Sequence, residues 1–157
     1  MRPVAIVLTV VSAVALTGCR VHLLDDGAYD FTTTDVLRDD CGVTCTFTLL
    51  DRGTLTTTGN LVKFAFTGTK PDLQGAYQFA PWMSKDAEAL IMDGSINNTH
   101  VTLRGQDCLL DTLTMHVEAQ ATDATHLTGT ASVAFESKAF PECNCKYWYG
   151  FTAARAP

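Results

Sequence analysis

The sequence predicts an all-β fold: an antiparallel up-and-down meander of about eight strands, closed as a barrel or folded as a sandwich. Three observations carry this. Helical periodicity is nearly absent, while apolar and polar residues alternate with period two along most of the 157-residue chain. Threonine, whose β-branched side chain suits a pleated surface, is unusually frequent. The segments linking the alternating runs are short and rich in turn residues, as sequential hairpins require.

Taken in order, Ala28 to Val36 places Tyr29, Phe31 and Thr33 on one face and Asp30, Thr32 and Thr34 on the other, which makes the first strand. Arg38-Asp39-Asp40-Cys41-Gly42 then reads as a turn. A second strand is expected from Thr44 to about Thr58, with Cys45, Phe47 and Leu49 in phase and a bulge or break at Asp51-Arg52-Gly53. Gly59-Asn60 supplies turn chemistry before a third strand in which Val62, Phe64 and Phe66 alternate with Lys63, Ala65 and Thr67. Gly68 to Lys85, with Pro71, Pro81 and Trp82-Met83, is the least regular stretch, and Gln74 to Ala80 within it is compatible with an extra strand or with none.

Glu88 to Ile96 is the next strand, and Asn97-Asn98-Thr99 is expected to turn it into another carrying Val101 and Leu103. The clearest hairpin follows. Leu113, Met115, Val117, Ala119 and Ala121 are apolar against polar Thr112, Thr114, His116, Glu118 and Gln120. Beyond an Asp123-Ala124-Thr125 turn, Leu127, Ala131, Val133 and Phe135 alternate with Thr128, Thr130 and Ser132. This register places His116 opposite Ser132 on the polar face, as a half-buried antiparallel pair requires. Tyr147, Tyr149, Phe151 and Ala153 mark the last strand. Phe31, Phe47, Phe64, Phe66 and Phe135 are the bulky inward candidates, and they favour a filled interior over a hollow one.

Six cysteines are present: Cys19, Cys41, Cys45, Cys108, Cys143 and Cys145. The last five are disulfide candidates if the chain is exported to an oxidising compartment, and their odd number leaves at least one over. Zinc is the competing reading, but the single residue between Cys143 and Cys145 fits poorly with the two to four that paired zinc ligands prefer. Connectivity depends on the strand count. With Gln74–Ala80 out of the sheet there are eight strands. Strand one then ends, and strands two, six and eight begin, at one rim, which brings Cys41 near Cys143 or Cys145 across the closing seam. With Gln74–Ala80 as a ninth strand the parity flips, and Cys41–Cys45 and Cys108 with Cys143 or Cys145 become the reachable pairs.

No cofactor or metal site is expected. His22, His100, His116 and His126 have no metal-ligand spacing, and no Cys-His or Ser-His-Asp motif with a recognisable local context occurs. Asp25-Asp26 and Asp39-Asp40 lie at turns, where Asp caps backbone amides, and no calcium loop is present. Asn97-Asn98-Thr99 fits the glycosylation pattern but reads more simply as a turn. In Tyr147-Trp148-Tyr149 the tryptophan is out of phase with its neighbours, so the run divides between core and surface.

At the N-terminus, Arg2 precedes an apolar run from Val4 to Leu16 that ends in Leu16-Thr17-Gly18-Cys19. The run is shorter than the roughly 20 residues that span a bilayer, and its layout is that of an export signal. Leu16-Thr17-Gly18-Cys19 resembles the lipobox of bacterial lipoproteins. The resemblance implies cleavage after residue 18, diacylglycerol on the Cys19 thiol and an acylated new amine (palmitate or similar chains). With Arg20 rather than Asp after the cysteine, it further implies the periplasmic face of the outer membrane. Residues 1–18 then form the signal, 19–26 a lipidated tether and 27–157 one domain. Loss of Arg2 takes the formal charge from −6 to about −7, which argues against nucleic acid or an anionic lipid surface as partner.

The strand layout resembles small lipocalin-like barrels of bacterial lipoproteins, although Gly27-Ala28-Tyr29 stands where that family carries Gly-x-Trp. The expectation is a non-enzymatic binding or structural module, held to the membrane through Cys19, with an unidentified envelope protein as a possible partner. A lipocalin-like carrier of a small apolar ligand and a hydrolase with an unrecognised site are the rivals.

Overall fold

The alternating runs become a closed eight-stranded antiparallel barrel in a computed structural model that describes residues 23–43, 50–68, 70–79 and 88–157. The strands are β1 (Gly27–Asp39), β2 (Arg52–Thr58), β3 (Leu61–Phe66), β4 (Leu73–Phe79), β5 (Glu88–Leu103), β6 (Gln106–Asp123), β7 (His126–Glu136) and β8 (Cys145–Arg155). Each pairs with its chain neighbour, and β8 returns to β1 from Tyr29↔Arg155 to Asp39↔Tyr147. One short 3-10 turn, Pro141–Cys143, precedes β8.

The pleat sorts side chains as the alternation requires. Inward-facing Tyr29, Phe31, Phe64, Leu90, Met92, Leu113, Met115, Val117, Val133, Phe135, Tyr149 and Phe151 form one buried cluster. Phe31 sits at its centre, 5.3 Å from the Phe64 ring and 5.5 Å from the Phe151 ring. Phe66 is partly buried against the same cluster, while Phe47 lies outside the described residues. The Tyr149 hydroxyl is buried and makes no full hydrogen bond among the described residues. Burial pushes its pKa far above the ordinary tyrosine value, with the Leu50 backbone as a weak counter-influence.

Two elements differ from the sequence expectation, and their effects cancel. Gln74–Ala80, left open above, is a strand (β4), with Ala80 itself outside the described residues. Its pattern is faint because Gly75 lacks a side chain for a reason: a Cβ there would sit 1.7 Å from the carbonyl oxygen of Ile91 on β5. Conversely, Asn97-Asn98-Thr99 does not reverse the chain. Asn98 takes a left-handed φ of 52°, but β5 runs on and keeps its ladder to β6 on both sides, from Leu90↔Ala119 to Leu103↔Gln106. Left-handed Asn is a turn signal in sequence, yet here it only kinks a strand whose partner is continuous. The reversal comes later, at Arg104 (φ 52°) and Gly105 (φ 76°), a two-residue hairpin turn with both centres left-handed. One strand gained and one lost restores the count to eight.

Expected strand two is β2 only from Arg52, and positions 44–49 fall outside the described residues. Gly53 opens β2 where a Cβ would meet the Phe66 ring at 2.7 Å. The Gly59-Asn60 turn and the hairpin centred on Asp123–His126 form as expected.

Chain parity divides the connections between two rims. One rim gathers the β1–β2, β3–β4, β5–β6 and β7–β8 links. The other carries the β2–β3 and β6–β7 turns, the start of β1 and the end of β8. At the first rim Cys41 is bonded to Cys145, and Cys108 to Cys143. Cys41–Cys145 spans the β1/β8 seam, the pairing open to an eight-stranded barrel. Cys45 lies outside the described residues. Arg104 reaches across from its turn to the Asp40 carbonyl, and Lys70 pairs with Asp51 at 2.6 Å.

At the second rim the chain is held from Leu24 onward, within the stretch read above as tether. Leu24 is buried and its N–H bonds to the Tyr77 hydroxyl at 3.2 Å. The Asp25 N–H donates to the Ala124 carbonyl at 2.8 Å, and the Tyr29 hydroxyl donates to the Asp25 carbonyl at 2.8 Å.

Candidate functional site

The outer face of β5, β6, β7, β8 and β1 brings four polar side chains and one tryptophan into one lateral row. Asp93 on β5 pairs with His116 on β6, His116 with Ser132 on β7, Ser132 with Trp148 on β8, and Trp148 with Arg38 on β1. Directly opposed residues on neighbouring strands share a face. The row therefore points outward, because its neighbours in sequence, Met92, Val117, Val133, Tyr147 and Tyr149, are buried. Trp148 remains 45% exposed, unusual for so large an apolar surface.

Two shallow open depressions flank the row. One of about 510 Å³ lies along Arg38, Asp93, Ser95, Thr114, Lys146 and Trp148. The other, about 330 Å³, is bounded by His116, Glu118, Thr130, Ser132 and Trp148. Both are open concavities that Trp148 borders.

Electrostatically the row is balanced. His116 lies between two carboxylates, with Nδ1 2.7 Å from Asp93 Oδ1 and Nε2 3.3 Å from Glu118 Oε1. Partial burial of the ring opposes its charge, but the two carboxylates outweigh that and hold its pKa above the ordinary histidine value. Arg38 is paired with Asp40 through Nε at 2.7 Å and a terminal nitrogen at 2.6 Å. The Arg38 guanidinium in turn keeps the Asp40 carboxyl below the usual range.

Of the other sequence candidates, His100 pairs with Asp107 at 3.2 Å and His126 with Asp123 at 2.9 Å, each alone on the surface. Cys19 and His22 lie outside the described residues. No group of three or more metal-ligating side chains occurs among the described residues. The register expected for His116 and Ser132 is the one observed. Both imidazole nitrogens, however, engage carboxylates, so His116 is not set up as a base toward the serine hydroxyl.

Sequence reading missed that Asp93 and Arg38 join this row. Asp93 was findable, since it is out of phase with Leu90 and Met92. Arg38 was not. Two bulges in β1, between Thr33 and Val36 and between Val36 and Arg38, shift its register against β8, and Gly150 accommodates the first, a Cβ there meeting Thr34 Oγ1 at 2.6 Å. Among known proteins, no family model, no curated protein and no solved structure matches the chain.

Proposed function

We propose that this chain is an exported lipoprotein, anchored through lipid on Cys19 to the periplasmic face of an outer membrane, whose barrel is a non-enzymatic binding or structural module. The observation that carries the reading is Leu16-Thr17-Gly18-Cys19 at the end of the Val4–Leu16 apolar run. Two disulfides agree with an oxidising compartment. Several acyl chains on one residue make a durable anchor, since each buried CH₂ contributes about 0.8 kcal/mol. Four residues lie between Cys19 and the buried Leu24, five Cα steps that reach at most roughly 18 Å. Anchoring thus sets the second rim against the bilayer, where Leu23, Leu61 and Phe79 are exposed apolar side chains. The disulfide rim then faces away from the membrane.

The test is Cys19→Ser in cells fed labelled palmitate. The native chain is expected to take up label and sediment with membranes, and the variant to remain unlabelled and uncleaved. A variant recovered in the membrane fraction at mature mass overturns the reading.

A further inference from the structure

We infer that the outer face centred on Trp148 is a binding site for an uncharged, hydroxyl-rich oligosaccharide chain. The argument rests on what this row combines and on what it lacks. The face of an indole carries the negative side of its quadrupole, and the C–H bonds on one face of a pyranose ring present weakly positive hydrogens to it. Trp148 is half exposed and borders both concavities. Around it stand groups that suit sugar hydroxyls: the acceptor Asp93, and the hydroxyls of Ser132, Thr114 and Thr130 within the same two depressions. An apolar platform with a few placed polar groups is the usual composition of a small-ligand site.

Charge decides which chain fits. A polyanion needs a stripe of unneutralised cations, but here Arg38 is paired with Asp40 and His116 sits between Asp93 and Glu118, which leaves Lys146 as a single charge beside Trp148 rather than a stripe. A peptide strand adds to a free sheet edge, whereas Asp93, His116, Ser132 and Trp148 each have a paired strand on both sides. An apolar partner surface would bury Asp93, whose side chain is 74% exposed, at the cost of desolvating its charge. A neutral saccharide satisfies these groups without removing their counter-ions. The row also has the extent for several sugar units, because five strands at about 4.8 Å spacing run to roughly 19 Å along the curved face. Rigid β-strands hold every member, so the platform is formed before the ligand arrives.

The inference is independent of the lipid anchor, and its test uses the full chain in a detergent without a sugar headgroup. Tetramers of N-acetylglucosamine, cellotetraose and maltotetraose are titrated, with tryptophan fluorescence and calorimetry as readouts; Trp82 and Trp148 are the two tryptophans. At least one tetramer is expected to bind saturably. Trp148→Ala should weaken that binding at least tenfold without changing the melting temperature, and Asp93→Asn should weaken it several-fold. Asp93→Asn also serves as the deciding variant if Trp148→Ala is unstable. Absence of saturable binding to all three tetramers overturns the inference. So does binding that neither variant weakens, or binding to sulfated heparin alone.

Discussion

The two rims of the barrel are built on different physical principles. At one, covalent bonds tie the rim together, Cys41–Cys145 across 104 positions of sequence and Cys108–Cys143 across 35, beside the tight β5–β6 turn at Arg104-Gly105. At the other, tight turns at Gly59-Asn60 and Ala124-Thr125 do the closing. Hydrogen bonds from Leu24, Asp25 and Tyr29 dock the start of the chain there. A short turn adds little closure entropy and needs no cross-link. The β7–β8 link, residues 137–144, lies beside the closing seam, as does Cys41 just past the end of β1. The long-range disulfide lies at that seam and adds a covalent tie to its β1–β8 ladder.

The largest effect should therefore come from the disulfide rim. In the chain-entropy account, the 104-residue separation corresponds to about 4.7 kcal/mol and the 35-residue one to about 3.8 kcal/mol. Replacing both partners of a bridge keeps exchange with Cys45 out of the comparison. Denaturant unfolding of Cys41→Ala/Cys145→Ala should show the greater loss, with Cys108→Ala/Cys143→Ala close behind. If the short-loop variant loses clearly more, loop length does not govern this rim.

At the second rim the corresponding change is Tyr29→Phe. The ring is fully buried and edge-on to Phe64 at 5.7 Å, so the phenylalanine keeps the packing. Burial pushes the hydroxyl pKa up to about 12, so the group is a donor throughout the physiological range. Its bond to the Asp25 carbonyl is a single neutral hydrogen bond, and losing it should cost about 1 kcal/mol. Amide exchange should quicken at Leu24 and Asp25 before it does in β6. A loss as large as that of either disulfide would erase the contrast between the rims.

The same contrast explains what was legible in the sequence. The β6–β7 hairpin was readable because one alternating pattern runs uninterrupted from Leu113 to Phe135 around a capped turn. The shared location of the cysteines followed from strand parity, which survived because β4 and the unbroken β5 offset each other. Close backbone approach was not legible: Gly75 against Ile91 weakens the β4 pattern, and Asn98 mimics a turn inside a strand. The Trp148 row was half visible. His116, Ser132 and Trp148 declare their face by phase alone, whereas Arg38 reaches it through two bulges and the closure of β8 on β1, and neither leaves a local signature.

The smallest effect, and the finest test of the second rim, lies in the β6–β7 turn. Asp123 accepts the Thr125 N–H at 2.7 Å, the Thr125 hydroxyl at 2.8 Å and the His126 ring at 2.9 Å. The Thr125 amide first, then His126 and the Thr125 hydroxyl, hold its carboxyl far below the usual carboxylate range. A carboxylate with a depressed folded pKa stabilises fully above its unfolded value of about 3.9 and loses that contribution as pH falls through the folded value. In that window the unfolded chain binds more protons than the folded one, so stability rises with pH. Asp123→Asn keeps an oxygen for the Thr125 amide but cannot titrate. Its melting temperature should fall below that of the native chain at pH 6, and the gap should narrow as pH drops below 4. A gap that stays constant from pH 6 to pH 2 would mean that the charge of Asp123 contributes nothing to the turn, and that hydrogen-bond geometry alone closes this rim.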